Sequence, residues 1–330
     1  MSSGFTNLGN TCYMNSALQC ISHLPYLSVN NNDFMDNYTK YFNGDNKLID
    51  EWINIQTLMW KNPSEKLVIN TSPLLKEFIK TCRQKKIYFE SFQQNDSADF
   101  ITIFIDLLHD SIKRKVSIQA VGEAKTQYDK LKIKSIQSWG NFFDSGYSYI
   151  IKQCYSQLLS LTSCPKCDYI TTNHEPIMVI SLTMKNNYNT LYDCLDEYVK
   201  ETVLDTNNTW KCDKCSENVC PHKKTNFWDL SPVLIFQIKQ YRRGLKLNKH
   251  IDFPETFSMG KYCLRNKKET NYKLSSISIH SGGLNGGHYY AMCKNNVTNE
   301  WNIHNDTSVR KINIERVLSE TPYCLFYHLA

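Results

Sequence analysis

The sequence contains no apolar run approaching the roughly 20 residues needed to cross a bilayer. Its N-terminus, Met-Ser-Ser-Gly-Phe-Thr-Asn, lacks the basic region and apolar stretch of a secretory signal. We therefore expect a protein of the cytoplasm, the nucleus or both, with no membrane partner. In such a reducing compartment the 13 cysteines would serve metal binding, catalysis or packing rather than disulfides.

A large excess of charge of one sign is also absent. The chain has 38 Lys and Arg against 32 Asp and Glu, and the net charge of +6 is dispersed over 330 residues. This excess is too weak to indicate nucleic acid, and we expect no such partner. Since 41% of the residues are hydrophobic and no low-complexity linker interrupts them, the chain can bury a large core.

The first third of the sequence is typical of a helical region. Apolar residues at i, i+3 and i+4 spacing predict helices over Met14–Leu24, Leu48–Trp60, Leu74–Cys82 and from Ser97 onward. Thr71-Ser72-Pro73 and Asp96-Ser97 have the chemistry of helix starts. The polar, Lys-rich stretch 113–140 is interpreted as a connection or an exposed excursion.

From about residue 147 the pattern changes to short β-like runs. These runs are Gln157–Leu161, Met178–Leu182, Val233–Lys239, Leu274–His280, Tyr289–Lys294, Trp301–His304 and Cys324–His328, with a short helix predicted at Tyr192–Val199. A helical first third and a mainly β remainder predict an α+β fold with an active groove between two lobes.

The stretch Asn7–Gln19 combines a helix start with a cysteine. Gly9 permits a sharp turn, and Thr11, or Asn10 before it, can act as the N-cap. Cys12 then lies in the first helical turn, where unpaired backbone N–H groups and the helix dipole favour a thiolate. Cys12 is therefore a candidate nucleophile. The alternative is a small buried cysteine at the start of a core helix.

A histidine near the C-terminus is the candidate base. His288 follows the Gly-rich segment 282–287 and begins a strand that leads through a polar turn to Asn305. If that turn is centred between residues 296 and 297, His288 and Asn305 face each other across the hairpin. A base oriented in this way is what a Cys–His mechanism needs, and the order Cys, His, Asn is that of papain-like chemistry.

Two other histidines compete with His288. His280 ends a neighbouring strand, and we expect it to line the groove in a supporting role. His304 would point to the face opposite Asn305, because side chains alternate along a strand. His288 itself could instead be an ordinary hairpin histidine beside a flexible Gly-rich loop.

Two CxxC pairs, Cys164–Cys167 and Cys212–Cys215, indicate a metal site. Each pair offers two thiolates at the right spacing for tetrahedral zinc, and together they would close a four-sulfur structural site. Their long separation predicts a site at the tip of an extended β arm. Two redox or disulfide pairs are the alternative. Cys220 and His222 could be reserve ligands or ordinary loop residues.

Taken together, these motifs resemble those of the ubiquitin-specific proteases. Asn7–Gln19 is similar to the cysteine box of that family, and Gly286–Tyr289 is similar to its histidine box. Gln94–Phe100 and Pro232–Tyr241 resemble two further segments, and the CxxC pairs occur where the family keeps its zinc. The resemblance runs from residue 4 to about residue 328, with the motifs in the family's order.

The resemblance implies catalytic roles for individual residues. Cys12 corresponds to the nucleophile and His288 to the general base. Asn305 corresponds to the third member of the triad, a role that the adjacent Asp306 could share. Asn7 corresponds to the residue whose side-chain amide stabilises the oxyanion.

The resemblance also implies a substrate groove. Asp96 corresponds to an acidic residue that holds the basic tail of ubiquitin. The Gly-rich loop with Gly286 and Gly287, beside His280, suits a diglycine tail because small residues let backbone approach backbone.

The implied fold is a single α+β catalytic domain over residues 1–330, of the papain-like cysteine protease type with the shape of a right hand. A mainly helical thumb would cover about 1–145, the fingers and part of the palm about 146–230, and the β palm about 231–330. One structural Zn²⁺ would lie in the tips of the β fingers. We expect a monomer with no accessory domain that chooses substrates.

The implied function is that of a thiol-dependent deubiquitinase. It would hydrolyse the isopeptide or peptide bond after the C-terminal glycine of ubiquitin, with ubiquitin and ubiquitinated proteins as partners. Three alternatives stay open: the same chemistry on another diglycine-tailed modifier, a weakly active ubiquitin-binding scaffold, and a zinc-ribbon binder of nucleic acid. The last would leave the cysteine and histidine boxes unexplained. The sequence indicates neither the ubiquitinated target nor the preferred chain linkage.

Overall fold

A computed structural model describes residues 3–44, 47–61, 67–90, 93–143, 146–242, 245–247, 249–265, 270–283 and 286–330. Its helices are α1 (Cys12–Ser22), α2 (Asn32–Tyr41), α3 (Leu48–Lys61), α4 (Ser72–Gln84), α5 (Ser97–Ser111), α6 (Gln127–Phe142), α7 (Tyr149–Cys154), α8 (Leu191–Tyr198) and α9 (Ile314–Leu318).

Its strands are β1 (Gly4–Phe5), β2 (Val68–Ile69), β3 (Ser156–Ser163), β4 (Ile170–Ile177), β5 (Val179–Thr183), β6 (Thr202–Val203), β7 (Trp210–Lys211), β8 (Asn218–Val219), β9 (His222–Asp229), β10 (Val233–Lys239), β11 (Tyr241–Arg242), β12 (Leu245–Lys246), β13 (Thr256–Ser258), β14 (Asn271–Gly283), β15 (Gly286–Lys294), β16 (Trp301–Asn305), β17 (Ser308–Ile312) and β18 (Cys324–Leu329). None of the described helices is both long and apolar enough to cross a membrane.

Eight strands form the central sheet of the molecule. Seven follow the order β17-β16-β15-β14-β18-β10-β5, and β13 pairs with β14. Side chains alternate between two buried faces: Val233 and Ile235 of β10 join the core shared with the N-terminal helices, whereas Leu234 and Phe236 join a second core on the other face. Burial on both faces explains why β10 and β18 read as nearly continuous apolar runs.

Helix α1 is buried from Cys12 to Ser22. On one side Leu18 and other apolar residues pack in the helical core. On the other side α1 lies against β14 and β15, where Ser16 Oγ is 2.8 Å from Ser278 Oγ and donates to Tyr290 O at 3.0 Å. Small and polar residues therefore face the sheet, and the start of α1 is fixed between two packed layers.

A smaller sheet extends away from this core. Its strand order is β4-β3-β9-β6, and β7 pairs separately with β8. The Cys164–Cys167 segment connects β3 to β4, and the Cys212–Cys215 segment connects β7 to β8. Both CxxC pairs thus lie in turns at strand ends, as their separation in the sequence predicts.

The predicted helices are confirmed as α1, α3, α4, α5 and α8, and each predicted strand overlaps an observed one. The interpretation of 113–140 as a connection or an exposed excursion missed a helix in its second half, because α6 begins at Gln127, but this helix is mostly exposed. Thr126 caps this helix, and its side chain and that of Asp129 bond reciprocally to backbone N–H groups. Of the α6 side chains only Ser135 is buried, so the helix lacks the apolar stripe by which the others are recognised.

Candidate active site

Cys12 occupies the first position of α1, directly after a sharp turn. Gly9 and Asn10 adopt positive φ angles of 96° and 54°, which turns the chain into the helix. Thr11 is the N-cap residue, but its hydroxyl accepts from Leu8 N at 2.9 Å instead of from the helix. Backbone N–H groups of the first turn, including those of Cys12 and Tyr13, therefore remain directed toward the Cys12 sulfur.

His288 and Asn305 meet as the sequence predicts, but through a different register. The paired residues of β15 and β16 are Ala291 with His304 and Lys294 with Trp301. Each residue of β15 therefore pairs with a residue two positions later in the chain than predicted. Asn305 consequently lies diagonally across from His288. The diagonal keeps both side chains on one face, and His288 Nε2 lies 2.6 Å from Asn305 Oδ1.

The His288–Asn305 contact determines which ring nitrogen is basic. An amide oxygen only accepts hydrogen bonds, so Nε2–H of His288 donates to Asn305 Oδ1 and Nδ1 carries the lone pair. Asp306 Oδ2 lies 4.0 Å from the same Nε2. Asn305 is therefore the direct partner of the imidazole, and Asp306 acts on it from a greater distance.

Asp306 is instead held by two side-chain amides. Asn7 Nδ2 donates to Asp306 Oδ2 at 2.9 Å, and Asn15 Nδ2 donates to Asp306 Oδ1 at 2.8 Å. The Asn7 amide, predicted to face an oxyanion, thus has one hydrogen directed at Asp306. Asn15 was missed in the sequence, although its place three residues after Cys12, on the same helix face, is a usable signal.

Burial raises the pKa of the Cys12 thiol, and the nearby Asp306 carboxylate raises it further. Backbone N–H groups of Tyr289, Tyr13 and Cys12 itself lower it, but burial is the largest effect. The expectation that the helix start makes Cys12 a thiolate is therefore wrong for this arrangement. In the described part of the chain no hydrogen bond joins Cys12 to His288. The Cys12 sulfur instead faces the backbone N–H of Tyr289, the residue that follows His288.

A groove of about 270 Å³ opens beside the sulfur. Cys12 and Asp96 line it from the helical side, and His280, Gly287 and Tyr289 line it from the sheet. Asp96 is also the N-cap of α5: its Oδ1 accepts from Ala98 N at 2.7 Å, and its Oδ2 accepts from the Tyr323 hydroxyl. The Asp96 carboxylate is thus fixed at the wall of the groove.

The Gly-rich segment forms the end of the β14–β15 hairpin. Gly282 has a φ of +116°, and a Cβ there would lie 2.6 Å from Gly286 O. A Cβ on Gly287 would lie 2.1 Å from His280 Nε2. Gly283 and Gly286 have open space around them. Leu284 and Asn285, also part of the predicted loop, lie outside the described residues.

The two histidines that compete with His288 occupy different environments. His280 lines the groove with Cys12, as predicted, and its ring centroid lies 4.5 Å from that of Tyr289. His304 is buried on the opposite face of β16, with its ring 5.2 Å from that of His23. Burial lowers the pKa of His304 well below its ordinary value, so it is a core residue remote from the groove.

The four cysteines of the CxxC pairs come together. The sulfur of Cys164 is 3.8 Å from that of Cys215, the sulfur of Cys167 is 3.6 Å from that of Cys212, and all four lie within 4.8 Å of one another. A tetrahedral zinc with bonds of about 2.3 Å separates its sulfurs by about 3.8 Å, whereas a disulfide requires about 2.05 Å. The spacing fits a metal ion rather than disulfides.

The two CxxC turns of this cluster have the same backbone conformation. Asp168 N donates to Cys164 O, and Ser216 N donates to Cys212 O. Asp168 and Ser216, which each follow the second cysteine of a pair, have φ angles of 55° and 59°. Both turns thus present their sulfurs inward in the same way. Cys220 and His222 are not part of the four-cysteine cluster.

Comparisons with known proteins agree with these features. A family model described as ubiquitin carboxyl-terminal hydrolase matches residues 3–327. Ubiquitin carboxyl-terminal hydrolase 2 of Bos taurus is 29% identical over 338 residues, which cover 99% of this chain and 55% of the relative. The Gallus gallus protein of the same name is 30% identical over 339 residues, covering 99% of this chain and 93% of the relative. The chain therefore spans only about half of the bovine relative.

A solved structure resembles the whole described fold. The SAGA Ubp8/Sgf11/Sus1/Sgf73 DUB module bound to ubiquitin aldehyde matches with a TM-score of 0.75 and 25% identity, covering 100% of this chain and 70% of that chain. This likeness confirms the α+β protease fold predicted from the sequence.

Proposed function

The chain belongs to the ubiquitin carboxyl-terminal hydrolase family, and we propose that it is a thiol-dependent deubiquitinase. It cleaves the isopeptide or peptide bond after the C-terminal glycine of ubiquitin. Its partners are ubiquitin and ubiquitinated proteins, as the ubiquitin-aldehyde complex of its structural relative suggests.

One observation carries the proposal. His288 Nε2–H donates to Asn305 at 2.6 Å, which leaves Nδ1 as the basic atom of the ring. The residue after His288, Tyr289, directs its backbone N–H at the Cys12 sulfur. His288 thus has its tautomer set by Asn305 and is adjacent in sequence to the residue that contacts the sulfur, which supports its role as the base of an acyl-transfer mechanism.

In this mechanism Cys12 begins as a thiol, because burial and Asp306 raise its pKa. His288 Nδ1 takes the thiol proton as the sulfur attacks the carbonyl carbon of the last glycine. The proton then passes to the leaving lysine amine, and an acyl-enzyme remains. Water loses a proton to His288, attacks the thioester and releases ubiquitin, which restores the thiol.

The charge that develops on the carbonyl oxygen needs hydrogen-bond donors. Backbone N–H groups at the start of α1 are available because Thr11 does not cap them with its side chain. The second hydrogen of the Asn7 amide, whose first binds Asp306, supplies a further donor. These groups would act as the oxyanion hole.

The tail of ubiquitin would occupy the groove between the helices and the sheet. Asp96 provides a fixed negative charge for its basic residues. Gly286 has open space around it, and the absence of a Cβ at Gly287 lets His280 pack against the strand; a diglycine backbone would pass beside these residues. These residues are the proposed substrate-binding set.

Cys164, Cys167, Cys212 and Cys215 would hold one Zn²⁺, consistent with their sulfur spacing. A zinc ion with four thiolate ligands has no open position, so it would cross-link two turns and take no part in catalysis. We further propose one catalytic domain over 1–330, with a helical thumb to about 145, fingers to about 230 and a β palm beyond. It would act as a monomer in the cytoplasm or nucleus.

An electrophilic ubiquitin C-terminal probe tests the function. Wild-type protein should form one covalent adduct at Cys12, and Cys12→Ala should form none. Cys263→Ala, which removes another partly exposed cysteine, should label like wild type. Lack of any wild-type adduct would refute the proposal.

The same assay separates the second candidate, a ubiquitin-binding scaffold with little turnover. The raised pKa of Cys12 favours it. A scaffold would bind ubiquitin without reacting with the probe. Reaction with a probe built on another diglycine-tailed modifier, but not on ubiquitin, would instead reassign the substrate.

A further inference from the structure

Strand β14 is longer than the neighbour that pairs with it on one edge. Its pairing with β18 ends at Ser278, which lies opposite Cys324, and Tyr323 N then donates to Ser278 O at 2.7 Å. On the other edge, β14 pairs with β15 as far as Gly283. Carbonyl groups alternate between the two edges, so those of His280 and Gly282 face the side where β18 has ended.

The Lys246 ammonium occupies this position. Its Nζ donates to His280 O at 2.7 Å and to Gly282 O at 3.0 Å. These are the next two carbonyls along the edge after Ser278. A lysine side chain from β12 thus replaces the strand that is missing here, and its charge strengthens both hydrogen bonds.

Lys246 also approaches the His280 ring, with Nζ 3.4 Å from Nδ1. An ammonium has only hydrogens to offer, so Nδ1 accepts and the ring proton lies on Nε2. That nitrogen faces Gly287, because a Cβ on this glycine would lie 2.1 Å from it. The lysine therefore fixes both the backbone and the tautomer of the groove wall formed by His280 and Gly287.

We propose that Lys246 is a positioning residue for substrate binding: by holding the end of β14, it shapes the groove that receives the C-terminal tail of the substrate. This inference rests on the proposed function. Lys246 touches neither the Cys12 sulfur nor the His288–Asn305 pair among the contacts of the described residues. It is expected to act on binding of the tail and not on the bond-breaking step.

Three variants test the role of Lys246. Lys246→Met keeps an unbranched side chain, one atom shorter, and removes the N–H donors and the charge, whereas Lys246→Arg keeps donors and charge. Lys249→Met is the matched control, since Lys249 Nζ binds Asn186 O and Asn189 Oδ1 away from the groove. Thermal unfolding of each variant shows whether it is folded.

With a fluorogenic ubiquitin C-terminal substrate, Lys246→Met should raise KM about tenfold and change kcat by less than about threefold, because only binding of the tail is weakened. Lys246→Arg should recover most of this loss. A Lys246→Met enzyme with the KM of Lys249→Met would overturn the inference, whereas a wild-type enzyme without turnover would refute the proposed function instead.

A measurement without substrate distinguishes failure of the Lys246 inference from failure of the proposed function. Amide hydrogen exchange over residues 279–290 should be about tenfold faster in Lys246→Met than in wild type or Lys249→Met, because the end of β14 has lost its charged partner. Equal exchange in all three proteins would contradict the role of Lys246, whatever the enzyme's activity.

Discussion

The turn between β16 and β17, which carries Asp306 and follows Asn305, is held by the N-terminal strand. Phe5 N donates to Asp306 O at 2.9 Å, and β1 pairs with β2 behind it. At Gly4 a Cβ would lie 2.6 Å from Thr307 O and 2.7 Å from Asp306 O. Both atoms belong to the backbone, so the crowding introduced by Gly4→Ala cannot be relieved by rotating a side chain.

The distances around Gly4 determine how strongly Gly4→Ala should affect catalysis and stability. Ordinary contact begins at 3.4 Å, so the turn has to retreat by about 0.8 Å from the new methyl group. If Asn305 moves with the turn, its 2.6 Å contact with His288 lengthens to about 3.4 Å, which leaves only a weak hydrogen bond. A displacement of this size costs about a hundredfold in rate, and the overpacking costs about 1–3 kcal/mol of unfolding free energy.

The assay is turnover of a fluorogenic ubiquitin substrate, together with denaturant unfolding. Gly4→Ala should lower kcat by about a hundredfold with the protein still folded. Gly140→Ala in α6 is the matched control, because the atom nearest to a Cβ added there, Ile118 O, is 3.9 Å away. It should keep wild-type kcat and gain up to about 1 kcal/mol from better helix propensity. A Gly4→Ala enzyme with wild-type kcat would refute the coupling between β1 and the turn.

Three further outcomes are expected. Asn305→Ala should lower kcat more than Asp306→Ala, because Asn305 alone bonds directly to the imidazole; the opposite ranking in steady-state kinetics would assign the third catalytic role to Asp306. Cys212→Ser should lower bound zinc and melting temperature together, and unchanged zinc stoichiometry would count against the four-sulfur site. Burial lowers the pKa of His23 from 6.5 to about 4, so the unfolded chain binds more protons. This shift should therefore contribute up to about 3 kcal/mol to the fall in unfolding free energy as pH drops from about 6.5 to 4. Since burial also lowers the pKa of His109, His174 and His328 to about 4, His23→Asn should make the slope shallower without abolishing it, and an unchanged slope would refute the contribution of His23.

Helices α5 and α6 illustrate what could be predicted from the sequence. In α5, Asp96 caps the start and a stripe of buried apolar residues follows, so cap and periodicity agree. In α6 the cap at Thr126 is just as good, but only Ser135 is buried. A mostly exposed helix carries little periodicity, and the cap by itself was not enough to identify it.

The β15–β16 hairpin shows how far the geometry of the candidate site could be predicted from the sequence. Residue types predicted that His288 and Asn305 would meet, but the turn was placed one residue too early. Asn295 Oδ1 accepts from Val297 N and Thr298 N, and Asn299 adopts a φ of 57°. Which asparagine organises a polar turn depends on its backbone conformation, and this could not be read from the composition of the turn.

The raised pKa of Cys12 was unpredictable for a related reason. A helix start favours the thiolate, and this part of the prediction is physically sound. The largest effect is burial by the folded protein, and the Asp306 carboxylate, almost 300 positions away in the sequence, raises the pKa further. Local sequence therefore indicates Cys12 as the candidate nucleophile, but the ionisation of its thiol depends on tertiary packing.

The complete burial of α1 determines which partner has to adjust during the reaction. The Cys12 sulfur is anchored to a helix that is enclosed between the helical core and the sheet, so moving it would mean repacking the centre of the protein. The His288 side chain is 42% exposed and lies two residues from the start of β15. In the proposed mechanism, alignment of the two groups should therefore come from movement of the His288 side chain toward a stationary sulfur.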